Sequence, residues 1–134
     1  MVKLIVFSCR ALQGTLLHTW LDEFRLAGIE FAVIGSERDA REIDNTALIL
    51  NTAYVDIRKE SDEALSDTIR MIASFRAKLA VRDSEIMMVS ASELDRIAAR
   101  TMHVLYCPPI GLEILLKRSG GSIEKAMEAL EWIT

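Results

Sequence analysis

Leu4-Ile5-Val6-Phe7-Ser8-Cys9-Arg10-Ala11-Leu12-Gln13-Gly14-Thr15-Leu16 stands near the start of the chain. An apolar run of strand length gives way to small, polar and charged residues and then to Gly14-Thr15. Beyond it, Leu17, Trp20, Leu21 and Phe24 recur at three and four residues, with Asp22, Glu23 and Arg25 on the other face. That spacing is the apolar stripe of an amphipathic helix. Gly28 follows where a helix C-cap is expected. A short continuous apolar run suits a strand buried on both faces, as in a parallel sheet. Strand, polar loop and helix therefore succeed one another between Leu4 and Gly28.

The same alternation continues. Phe31-Ala32-Val33-Ile34, stopped by Gly35-Ser36, reads as a second strand. Leu48-Ile49-Leu50 with Tyr54-Val55 is a weaker third, Ile86-Met87-Met88-Val89 a fourth and Val104-Leu105-Tyr106 a fifth. A long helix from Ser61 to Ala80 carries Leu65, Ile69, Ile72, Phe75 and Leu79 as its stripe. Ser92 opens a shorter one with Leu94, Ile97 and Ala98. Pro108-Pro109 mark a loop. Helices over Leu112–Leu116 and through Ile123, Ala126, Leu130 and Ile133 follow. The order predicts one α/β domain over residues 1–134, a three-layer, doubly wound, Rossmann-like arrangement on a mainly parallel five-stranded sheet. At 134 residues and 51% hydrophobic, one chain of this size builds a sizeable core.

Composition narrows the partners. The formal net charge is -4 and no Lys/Arg cluster stands out, so no nucleic-acid footprint is expected. Cys9 and Cys107 do not make a disulfide framework. Two free thiols fit a reducing compartment, so a cytoplasmic protein is expected. No signal peptide is read at the amino end, and no apolar stretch approaches spanning length, so no membrane partner is expected either.

In doubly wound sheets, ligands sit at the carboxyl ends of the strands. The residues there are Ser8, Cys9 and Arg10 with Gly14-Thr15; Gly35-Ser36; Arg58-Lys59-Glu60 before the long helix; and Ser90-Ala91-Ser92-Glu93-Leu94-Asp95. This succession resembles the haloacid dehalogenase (HAD) superfamily, in its small capless form. Gly14-Thr15-Leu16 stands where that family's first loop ends in Gly-Thr-Leu. Ser36 matches its second-motif hydroxyl and Lys59 its lysine. Ser90 through Asp95 have the shape of its fourth motif, Gly-Asp-x-x-x-Asp. Arg118-Ser119-Gly120-Gly121-Ser122 is similar to the tail of the capless sugar-acid phosphatases. The resemblance implies the HAD fold and a homo-oligomer whose neighbours cover an open site. The Ser61–Ala80 helix and the C-terminal helix are the candidate contact surfaces.

The departures are chemical. The family uses two aspartates in the first loop. Counted back from Gly14, their places hold Ala11 and Gln13; counted on from the first strand, Ser8 and Arg10. In the fourth motif Ser90 and Ala91 replace Gly and Asp, and Asp95 alone remains. Magnesium wants oxygen ligands, usually with one or two carboxylates. Arg10 pointing inward would put a positive charge in the ion's place. Weak or absent Mg²⁺ binding is therefore expected, with no other cofactor and no catalytic residue assigned.

Each remaining residue has two readings. Asp95 is a vestigial metal ligand or, with Ser92, a capping box, the commoner arrangement. Lys59 holds phosphate or belongs to the solvated charged stretch from Asp56 to Glu63. Cys9 is a nucleophile of lowered pKa or a small buried thiol. Gly14-Thr15 and Gly35-Ser36 cradle a small anion or make tight turns. His18, His103 and Trp20 read as structural, and Trp132 as a residue packed on the domain or on a neighbour. The expected function is a non-catalytic HAD-like domain acting through ligand binding, protein binding or assembly. The alternatives are a phosphohydrolase with a displaced carboxylate, such as Asp39, Asp83 or Glu93, and a phosphocarrier using Cys9.

Overall fold

The computed structural model describes residues 2–8, 11–12, 14–34 and 62–133, with only the backbone described at 62–64 and 131–133. Strand β1 spans Leu4–Ser8. A 3₁₀ turn over Leu17–Trp20 runs into helix α1, Leu21–Leu26, and then strand β2, Glu30–Ile34. Helix α2 covers Asp62–Leu79. A 3₁₀ turn at Asp83–Glu85 leads into β3, Ile86–Val89, followed by α3, Glu93–Thr101, and β4, Leu105–Cys107. Helices α4, Pro109–Arg118, and α5, Ile123–Ile133, complete the described chain. Four of the five expected strands are thus in place. The expected strand at Leu48–Leu50 with Tyr54-Val55 lies outside the described residues.

The four strands form one sheet in the order β2-β1-β3-β4, every pair parallel. Ile5 stands between Phe31 and Met87, and Phe7 between Val33 and Val89. Alternate residues face opposite ways along a strand, and here both faces are apolar. Ile5, Phe7, Phe31, Val33, Met87 and Val89 point to one core, built with Leu17, Leu21 and Phe24 and with residues of α4 and α5. Leu4, Val6, Ala32, Ile34, Ile86 and Met88 point to the other, built with Met71, Ile72 and Phe75 of α2 and Ala99 of α3. Helices on both faces explain why the strands read as unbroken apolar runs.

Two helical stripes match their expected positions in part, with Ile72 and Phe75 of α2 and Ala98 of α3 buried as expected. On α2 the buried residues are Thr68, Met71, Ile72 and Phe75, while Leu65, Ile69 and Leu79 are only partly covered. On α3 they are Asp95, Ala98 and Ala99, and Ile97 is 40% exposed. Helix α3 packs on α2.

Four helix ends close in the same way. Gly28 has φ +78; its N–H donates to the Arg25 carbonyl at 3.0 Å, and that of Ile29 to Phe24 at 2.9 Å. This is the Schellman pattern, with glycine in the left-handed position where the stripe predicts it. Gly120 closes α4 likewise. After α2 and α3, however, the left-handed residues are Ala80, φ 52, and His103, φ 56. A Cβ there is strained by roughly 1–2 kcal/mol. Both residues are exposed. Ala80→Gly and His103→Gly are therefore each expected to stabilise the fold by about 1 kcal/mol, once the entropy glycine adds to the unfolded chain is subtracted. Urea denaturation checks this. The midpoint should rise with the slope unchanged, and a fall at either site would refute it.

The amino edge of the sheet is held by one buried acid. The Glu85 carboxylate accepts from the Arg82 N–H and from the Arg82 guanidinium, both at 3.1 Å, and pairs with Lys3 at 3.5 Å. The Arg82 N–H, then the Arg82 guanidinium, then the Lys3 charge draw its pKa from 4.5 down to about 2. A folded pKa below the unfolded one adds stability at pH values above 4.5 and loses it as pH falls toward about 2. Glu85→Gln should accordingly melt below the native chain at neutral pH, with the gap closing between pH 4.5 and about 2. Thermal melts across that range test it; a gap independent of pH would refute it.

Candidate functional site

Strand β1 ends at Ser8, which is half-buried. The Ala11 N–H donates to the Ser8 carbonyl at 2.8 Å. Ala11 and Leu12 then drop into the core, 2% and 5% exposed. Ala11, a position that the resemblance compares with an aspartate when the loop is counted back from Gly14, is therefore a core residue. The turn at Gly14-Thr15 is closed locally. Gly14 has φ +70, and the Thr15 hydroxyl donates to the Leu12 carbonyl at 3.3 Å and accepts from the Leu17 N–H at 3.4 Å. The Leu16 N–H donates to Glu113 of α4 at 3.0 Å. These two amides, which an anion would otherwise use, already have acceptors.

At the end of β3 the polar groups converge. Phe7 is in register with Val89, so Ser8 and Ser90 stand side by side just past the paired residues. Ser90 and Asp95 are each 1% exposed. The Ser90 hydroxyl donates to the Asp95 carboxylate at 2.6 Å and accepts from the Ser92 N–H at 3.0 Å. Tyr106 of β4 donates its hydroxyl to the Ser90 carbonyl. One buried network thus ties the end of β3, the first turn of α3 and the neighbouring strand.

The capping box expected from Ser92 and Asp95 is not formed. Ser92 occupies the N-cap of α3 with extended backbone, φ -82 and ψ 132, but its side chain makes no capping bond. In such a box the acid three residues on would accept the cap N–H. The Ser90 hydroxyl takes that N–H instead and engages Asp95 itself.

The other ionisable groups near this edge are quiet. Burial, then the nearby negative charges of Asp95 and Glu93, raise the Tyr106 hydroxyl pKa. Burial pushes the Cys107 thiol up to about 11, and its Sγ lies 3.4 Å from the Pro108 carbonyl. It is therefore a neutral thiol at physiological pH and a poor nucleophile. Glu93 is held by Arg96, whose hydrogen bond lowers the Glu93 pKa. Asp83 lies before β3, at the opposite edge of the sheet, paired with Arg76 at 3.1 Å. Neither Asp83 nor Glu93 stands free at a strand end.

Among the expected site residues, the structure brings together Ser90, Ser92 and Asp95, with Ser8 beside them. Gly14 and Thr15 make a separate turn. Cys9, Arg10, Gly35, Ser36 and Lys59 lie outside the described residues, as do Gln13 and Asp39. The side chain of Trp132 does too. Tyr106 and Glu113 are the participants that sequence reading misses. Tyr106 carries a faint signal, a hydroxyl at the end of an apolar strand. Glu113 carries none, because its partner Leu16 is 97 residues away. Among the described residues no three His, Cys, Asp or Glu side chains gather into a metal-binding group. No helix among them is long and apolar enough to cross a membrane. Searches of known protein families, curated proteins and solved structures find no match to this chain.

Proposed function

We propose that this chain is a HAD-like, three-layer Rossmann-like domain that has lost phosphoryl chemistry and works by binding or assembly. The occupant is a protein partner, a second copy of the chain or a small anionic ligand. The observation that carries the reading is the fate of Asp95. It is the one carboxylate left of the family's acidic motifs in the resembling segments, and it is enclosed, 1% exposed, and bonded to Ser90 at 2.6 Å. A carboxylate so engaged anchors a loop. To ligate a metal or move a proton for a substrate it would need an open path to that edge. The order β2-β1-β3-β4 supports the same reading. It is the run of strands that a doubly wound sheet has around its switch point, with the chain starting at the centre.

Magnesium titration by calorimetry, together with p-nitrophenyl phosphate turnover with and without the ion, tests the proposal. Neither binding heat nor turnover is expected. Magnesium-dependent turnover would overturn it and identify a phosphatase with a carboxylate supplied from elsewhere in the chain.

A further inference from the structure

We draw no further inference here: the strongest candidate, the exposed apolar patch of Leu16, Ile110 and Ile114 where the loop after β1 meets the start of α4, is an unpartnered face, and nothing in the structure shows what covers it.

Discussion

Phe7→Ala is expected to cost about 3–5 kcal/mol, enough to leave a domain of ordinary stability marginal or unfolded. Phe7 is fully buried on the central strand. Its ring lies 6.4 Å from that of Phe24 and 6.2 Å from that of Phe31, tilted and edge-on respectively. Such geometries add about 0.5–1.5 kcal/mol per pair beyond the area buried. Truncation removes both contacts and leaves a cavity between β1, β2 and α1. Parallel strands packed on both faces have little room to close it. Urea denaturation measures the loss, with Leu26→Ala as control. Leu26 is 83% exposed on α1, and its truncation should change stability by less than about 0.5 kcal/mol. A Phe7→Ala cost near that of the control would mean that the aromatic cluster is not the keystone of this face.

The second large effect is expected at Ser90. Ser90→Ala removes the hydroxyl that donates to Asp95 and accepts from the Ser92 N–H. A hydrogen bond to a charged group contributes about 1.5–3 kcal/mol, and a buried group that loses its partner adds its desolvation penalty. A loss of about 2–3 kcal/mol follows. Asp95→Ala should cost a similar amount. The informative quantity is the double-mutant cycle. If the two side chains act as one anchor, their coupling should be about 1.5–3 kcal/mol. A coupling near zero would show that Asp95 does not depend on Ser90. That result would reopen the reading of Asp95 as a ligand for something not yet identified. The cycle thus tests, by stability alone, the observation on which the proposed function rests.

The strands were legible because burial on two faces leaves a plain mark, an unbroken apolar run. Ile5 and Phe7 face one core and Leu4 and Val6 the other, so no polar residue interrupts them. The end of α1 was legible because only glycine enters the left-handed turn without strain, and Gly28 stands there. The ends of α2 and α3 carried no such mark, since Ala80 and His103 occupy the equivalent positions at a cost. On α3 the expected Ala98 is buried, but Ile97 is exposed, and Asp95 and Ala99 turn inward beside Ala98. At the end of β3, strand-end placement singled out Ser90, Ser92 and Asp95, but the capping-box spacing pointed to a bond that does not form. Ser92 and Asp95 have capping-box spacing, yet the decisive hydroxyl belongs to Ser90, just outside the pattern. Tyr106 and Glu113 join through contacts distant in sequence, which no local spacing can record.

The position of β1 has a consequence for how the protein comes into being. It is hydrogen-bonded to β2 on one side and β3 on the other, but those neighbours are separated by the whole stretch from Ile34 to Ile86. On the ribosome, β1 can meet β2 early. Its second flank has no partner until residues 86–89 emerge from the exit tunnel. For that interval this apolar strand offers a row of open N–H and C=O groups to any extended segment nearby, the template for mispairing. The nascent chain is thus most at risk between the emergence of β2 and that of β3, when a holdase chaperone would protect it most.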